Sequence, residues 1–278
     1  MPRHDFSSQT VIVTGASSGI GAAFARALAS RGANLVLVAR RRERLDRLAA
    51  ELREGRAITV TTVPLDLSAP TAAAELKAAL AEAGVTATSL INNAGFGTFG
   101  EFRDEDPERL TQEIAVDVSA PVQLSHAFLP GIVEARGFLI NVASMAAYAP
   151  TPRMAVYGAA KAFVLSFTES LWAELRDTGA TVFALSPGAT STEFNAVVGT
   201  DDATAGARMR TPDDVVATAM THLARRRPGP SVVDGPANRA GAAAARLLPR
   251  RTAVTMMHRI TDPARRAAEA RPRVSWSG

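Results

Sequence analysis

The chain has 278 residues, 47% hydrophobic and 21% charged, enough for a sizeable core, and α/β chains of this length commonly form one unit. It contains no cysteine, which excludes disulfides, thiolate catalysis and cysteine-ligated metal. The net charge of +4 is unevenly placed: residues 225–278 hold 12 arginines against three acids, so a tail of +9 follows a body of −5.

Residues 1–9 are polar and lack the apolar stretch of a secretion signal, and no apolar run approaches the roughly 20 residues that span a bilayer. A soluble, cytoplasmic protein is expected. Residues 9–15 (QTVIVTG) read as a short buried strand ending at glycine, and 20–30 as an alanine-rich helix. A second strand at 34–39 precedes a charged helix at 41–53. The third strand, 58–65, leads to a helix at 71–83 that Pro70 helps to start. The fourth strand is 88–92, followed by a long helical region, 107–133, which Pro121 and Pro130 kink or divide. Strands at 138–143, 181–186 and 231–234 alternate with helices at 154–177 and near 213–225, and a helical tail broken by Pro249 ends the chain. The strands are continuous apolar runs, which argues for an α/β fold with a parallel sheet covered by helices on both faces and right-handed crossovers. With no internal repeat and no linker, residues 1–235 are expected to form one dinucleotide-binding catalytic domain, extended by a basic helical segment, 236–278.

The first strand turns into the first helix through Thr14-Gly15-Ala16-Ser17-Ser18-Gly19-Ile20-Gly21. Glycine there permits a tight turn and lets backbone N–H groups approach a pyrophosphate, to which the helix N-terminus adds partial positive charge. A glycine cluster alone is weak evidence; its place after the first strand of an α/β chain strengthens it. The end of the second strand selects the cofactor. An acid there would accept from the ribose 2′-OH of NAD, but the chain has Ala39-Arg40-Arg41-Arg42. Guanidinium binds a 2′-phosphate where a carboxylate would repel it. NADP(H) is therefore expected, with Arg40 first and Arg41 second as phosphate ligands; the alternative is that these arginines simply begin a charged surface helix.

Tyr157 and Lys161 lie four residues apart in a helix and so share a face. Free tyrosine has a pKa of about 10, and a neighbouring ammonium favours phenolate, lowering that pKa towards the working range. The chain has only two lysines and two tyrosines, so the pair is informative. TGASSGIG at 14–21, NNAG at 92–95, Ser144 thirteen residues before Tyr157, YGAAK at 157–161 and Pro187-Gly188 occur together and in order. In this joint pattern, over residues 9 to about 235, the chain resembles the short-chain dehydrogenase/reductases.

The resemblance implies a Rossmann-type doubly wound domain of about seven parallel strands. It makes Tyr157 the acid–base residue, Ser144 a hydrogen-bond donor to the substrate oxygen, and Lys161 the group that holds the nicotinamide ribose and lowers the tyrosine pKa. It places Asp66 and Leu67 at the adenine. Asn93, Ala94 and Gly95 would line the cofactor, with Pro187, Gly188 and Thr192 beside the nicotinamide. Gly15, Ser17, Ser18, Gly19, Ile20 and Gly21 would form the phosphate turn. Many members carry an asparagine in the helix after the fourth strand, where it helps hold a water in a proton relay to the lysine; here that position is Asp117. Aspartate can accept a hydrogen bond but cannot donate one when ionised, so an altered relay is expected.

Candidate pocket residues are apolar: Phe96, Phe99, Met145, Tyr148, Met154 and Phe194. They suggest a hydrophobic ketone, aldehyde or alcohol, although such residues are also common as plain core. Residues 190–210 resemble the family's substrate lid. The four histidines (His4, His126, His222, His258) are scattered, and no metal site is expected. The tail lacks interleaved aromatics for stacking bases, its only one being Trp276, and no nucleic-acid partner is expected. The stretch 241–260 could cap the pocket, pack across a subunit interface or lie on a membrane surface. A homodimer or homotetramer follows from the resemblance. The alternatives to a carbonyl reductase are a 3-oxoacyl-thioester reductase, an NADP-binding regulator with lapsed catalysis, and a binding module working through the basic tail.

Overall fold

The computed structural model describes residues 5–200, 204 and 207–262. His4, Trp276, the end of the basic tail (263–278) and five positions of the 190–210 loop (201–203, 205 and 206) lie outside that description. The described residues contain seven strands: β1 (Thr10–Thr14), β2 (Asn34–Ala39), β3 (Val60–Pro64), β4 (Ser89–Asn92), β5 (Phe138–Val142), β6 (Thr181–Ser186) and β7 (Ser231–Val233). All pair in parallel, in the order β3-β2-β1-β4-β5-β6-β7. Thr10 stands opposite Asn34 on one side of β1, and Val11 opposite Ser89 on the other. The order reverses between β1 and β4, so the connections leaving these strands run to opposite faces and open a crevice at their carboxyl ends.

The helices are α1 (Gly19–Ala29), α2 (Arg42–Arg53), α3 (Ala72–Glu82), α4 (Pro107–Ile114), α5 (Ala120–Glu134), α6 (Ala155–Leu175), α7 (Phe194–Val198), α8 (Pro212–Leu223), α9 (Pro236–Leu247) and α10 (Arg250–Ile260). α1, α2 and α8 pack on one face of the sheet around Phe24, Leu28, Phe138 and Phe183; α3, α5 and α6 cover the other around Leu76, Leu90, Leu124 and Ile132. Alanines at 22, 23, 25 and 29 let α1 lie close to the strands. α8 starts on a capping box in which Thr211 and Asp214 exchange hydrogen bonds, with Pro212 in the first turn.

The doubly wound architecture agrees with the sequence. The long region 107–133 divides: α4 runs into a π-helical turn, Ala115–Ser119, and then into α5. Pro121 lacks the N–H that would bond to the carbonyl of residue 117, so the ladder widens there. Pro130 sits inside α5 without ending it. The 190–210 loop contains the short helix α7, and the tail breaks at Pro249 between α9 and α10. Among the described residues, no helix is long and apolar enough to cross a membrane.

Candidate active site

A cavity of about 710 Å³ runs along the carboxyl ends of the central strands. Its walls come from the turn after β1, the ends of β2 and β3, the loops after β4, β5 and β6, and the tail helices α9 and α10.

At one end lies the glycine turn. Gly15 has φ +66°, and a Cβ there would come within 2.8 Å of the Asn93 amide and 2.9 Å of the Ala94 Cα. Asn93 in turn donates to the Thr14 carbonyl at 2.9 Å, stitching the turn to the end of β4. Gly15, Ser17, Ser18, Gly19 and Ile20 line the cavity, but Gly21 does not. A side chain at Gly21 would overlap the Gly15 carbonyl, so this glycine serves close packing of helix on turn. The first turn of α1 carries no acid, and its N-cap, Ser18, makes no side-chain capping bond. The helix thus presents open N–H groups and its positive end to the cavity, which fits a pyrophosphate.

Arg40 and Arg41 flank this end. Arg41 Nη2 donates to the Ser17 and Ser18 hydroxyls at 2.9 and 3.0 Å, and its Nη1 meets Glu193 at 2.9 Å. Arg44 takes the other Glu193 oxygen at 2.5 Å. These hydrogen bonds, from Arg44 first and then Arg41, hold the Glu193 carboxyl at about 2. Asp66 is fixed by accepting from the Ser68 N–H and hydroxyl at 3.0 and 2.9 Å, beside Leu67 on the wall. The end of β2 itself offers two guanidinium groups and no carboxylate, which suits a 2′-phosphate, and of the two only Arg41 is paired with the wall residue Glu193.

At the other end Ser144, Tyr157 and Lys161 converge. Ser144 caps a short 3₁₀ turn, its hydroxyl oxygen accepting from Ala146 N–H at 3.1 Å, and it lies within hydrogen-bonding reach of the Tyr157 phenol. Lys161 Nζ sits 5.5 Å from the Tyr157 ring centre. Its ammonium donates to the Val142 carbonyl at 3.4 Å and pairs with Asp117 at 3.5 Å. Asp117 lies behind Lys161 rather than on the wall, and accepts from Phe96 N–H at 3.2 Å. A Cβ on Gly95 would come 2.5 Å from Asp117 Oδ1 and 3.0 Å from Lys161 Nζ, so only glycine leaves this pair room.

Burial pushes the Asp117 carboxyl up to about 6, against the pull of Lys161 and the Phe96 N–H. Burial opposes the Lys161 ammonium, but Asp117 and Tyr157 outweigh it and its pKa rises. For Tyr157 the structure corrects the sequence expectation. Burial raises its pKa above the ordinary value, and Lys161 and then Ser144 recover only part of that shift. Lysine does favour the phenolate, as its spacing implied; desolvation is the larger effect.

Asn93, Ala94, Gly95, Pro187, Gly188 and Thr192 all reach the wall, as do Phe96, Met145, Tyr148, Met154 and Phe194. Phe99 does not. The sequence reading missed Glu193, whose role depends on a loop folding back over α2. The tail closes the distal end with Ala244, Ala245, Leu248, Met256 and Met257, the capping role that was one of three open for 241–260, whereas Asn238, just before that stretch, was not foreseen. Amphipathic spacing in 241–260 was the available signal. Glu113, fully buried one turn before Asp117, was missed too.

A family profile described as short chain dehydrogenase matches residues 9–203. A short chain dehydrogenase of Pseudocercospora fijiensis is 38% identical over 221 residues, which is 77% of this chain and 65%, under two thirds, of that protein. Sulfoacetaldehyde reductase 2 of Chromohalobacter salexigens is 36% identical over 220 residues, 78% of this chain and 86% of that one. Among solved structures, a short-chain dehydrogenase from Sphingobium yanoikuyae in complex with NADPH superposes with a TM-score of 0.75. It is 35% identical, with 86% of this chain and 94% of that chain covered.

Proposed function

The chain belongs to the short-chain dehydrogenase family, and from that premise we propose that it is an NADP(H)-dependent oxidoreductase acting on a hydrophobic ketone, aldehyde or the corresponding alcohol. One observation carries this reading: Ser144, Tyr157 and Lys161 meet at the end of a cavity whose other end offers a glycine turn and two arginines. The glycine turn and the N-terminus of α1 would hold the pyrophosphate, Arg40 and Arg41 the 2′-phosphate, and Lys161 the nicotinamide ribose. NADPH supplies the hydride from nicotinamide C4, and NADP⁺ accepts one in the reverse direction.

Ser144 would donate to the carbonyl oxygen and orient it towards the Tyr157 phenol. Tyr157 gives its proton to that oxygen as the carbonyl carbon is reduced, or removes the hydroxyl proton in alcohol oxidation. Lys161 keeps an ammonium beside the resulting phenolate, and Asp117 holds that ammonium in place. Burial of Tyr157 favours the protonated phenol, which suits the reducing direction.

The substrate end is walled by Phe96, Met145, Met154 and Phe194 and roofed by alanines and methionines of the tail, which favours an apolar, bulky substrate. The cations on the described wall are Arg40, Arg41 and Lys161. None is left over for an anionic substrate such as a sulfonate. Residues 1–235 are taken as the catalytic unit and 236–278 as its extension, in a protein that acts as a homodimer or homotetramer.

The test is a panel of bulky ketones, small aldehydes, an anionic aldehyde and a 3-oxoacyl thioester, each with NADPH and with NADH. Turnover of bulky ketones with a strong NADPH preference is expected, and Tyr157→Phe should lower kcat/KM by about 10²–10⁴-fold while NADPH binding persists. Activity confined to the thioester would favour the 3-oxoacyl reductase. NADPH binding with no turnover of any compound would favour the regulator.

A further inference from the structure

Behind Asp117 lies a second carboxyl. Glu113 belongs to α4, four residues before Asp117, so the two share a helix face as the run opens into the π-helical turn. Its side chain is 0% exposed. Among the described residues neither carboxyl oxygen has a hydrogen-bond partner of normal geometry, although the Thr98 hydroxyl and N–H lie near enough to favour the carboxylate. α4 packs against α6, which carries Tyr157 and Lys161.

A buried carboxylate without well-placed donors costs several kcal/mol unless it takes up a proton. An interior glutamate left this way is not needed for packing, since an apolar side chain would fill the volume without that cost. We propose that Glu113 is a positioning residue of the active site, a second carboxyl behind Asp117 whose protonation state sets the charge felt by Lys161 and Tyr157. The proposal rests on the functional reading above for its consequence in turnover, but not for its electrostatics.

The charged and titratable groups around it are few. Asp117 follows on the same helical run, Glu105 lies on the preceding loop, and Lys161 and Tyr157 face it from α6. Burial, with Asp117 and Glu105 adding repulsion, holds the Glu113 carboxyl at about 7, although Thr98 pulls the other way. It is therefore half neutral near neutrality and gains a negative charge above that. The added charge raises the pKa values of both Tyr157 and Lys161. Ionised Glu113 thus holds the proton on the phenol and opposes alcohol oxidation, which requires phenolate. Neutral Glu113 relaxes that hold.

Two variants remove the charge: Glu113→Gln keeps the shape, and Glu113→Met keeps the volume without polar atoms. The first readout is the pH dependence of kcat for alcohol oxidation with NADP⁺. Its rising limb should move to lower pH by on the order of one unit in both variants, with KM for the alcohol little changed. The second readout needs no turnover. The chain has only two tyrosines, so in a Tyr148→Phe background the ultraviolet phenolate band reports Tyr157 alone, and it should titrate at lower pH once Glu113 is neutralised. If both the rate profile and the Tyr157 titration stay where the parent has them, Glu113 is only a core residue and the proposal is wrong. If the parent reduces and oxidises nothing, the functional reading fails, and the phenolate titration alone decides the role of Glu113.

Discussion

By the resemblance to the family, Asp117 is expected to replace an asparagine, and the structure shows what such an exchange entails. Its Oδ1 accepts from Phe96 N–H, a bond that an amide oxygen can also accept. Its Oδ2 faces Lys161 at 3.5 Å, and in Asp117→Asn that position would carry an amide nitrogen, which cannot accept from the ammonium. Lys161 would keep the Val142 carbonyl. We therefore expect Asp117→Asn to retain kcat within about tenfold, since under roughly 1.4 kcal/mol is at stake. A steady-state measurement showing a loss of several hundredfold would mean that the ion pair itself is indispensable. Ser144, Tyr157 and Lys161 were legible in the sequence because their spacing is fixed by one helix and one strand end. The net acidity of Tyr157 was not. It depends on burial and on carboxylates from α4 and the π-helical turn, which no local spacing encodes.

At the scale of elements, the loop after β6 is tied down at both ends by charge. Glu193 clasps Arg41 and Arg44 at its start. At its far end Arg210 forks onto Asp234 at 2.6 and 3.1 Å, and Asp234 is fully buried and also accepts from Thr218 at 2.6 Å. The two ties differ in kind. The Glu193 cluster is more than a third exposed and is screened by salt, whereas the Asp234 tie is shielded. Glu193→Gln should therefore speed limited proteolysis within residues 190–200 at low salt, and the difference from the parent should shrink as salt rises. Equal cleavage at every ionic strength would show that the clasp does not hold the loop. The seven strands and the helices flanking them were readable because buried parallel strands are continuous apolar runs bounded by turn residues. The clasp was not, since it joins positions about 150 residues apart through side chains that look like ordinary surface charge. The division of 107–133 was half legible: Pro121 marked the break, but the π-helical turn came only with the structure.

Across the whole molecule, the buried carboxyls leave a signature in stability against pH. Glu113 titrates at about 7 in the fold, above its ordinary value of 4.5, and Asp117 at about 6, above 3.8. A carboxyl raised on folding binds its proton more tightly in the folded chain. Its contribution is therefore fully present below the unfolded pKa and is lost as pH rises to the folded one. For Glu113 that window runs from about pH 4.5 to 7, and for Asp117 from about 4 to 6. His222 acts with the opposite sign. Burial lowers its pKa, so the unfolded chain takes the proton more readily, and folding gains stability as pH rises through the usual histidine range. Glu193, lowered to about 2, adds stability above the usual carboxylate range and loses it in acid, but its exposure keeps that effect small. Comparing the parent with Glu113→Met cancels the last two. The parent-minus-variant difference in unfolding free energy, from urea titrations at each pH, should fall by on the order of 3 kcal/mol between pH 4 and 8. Most of the fall should lie above pH 5, because the Glu113 window runs from about pH 4.5 to 7 and Asp117 is common to both chains. Parallel curves across that range would mean that Glu113 ionises as easily in the fold as in the unfolded chain, through a donor or water that reaches it.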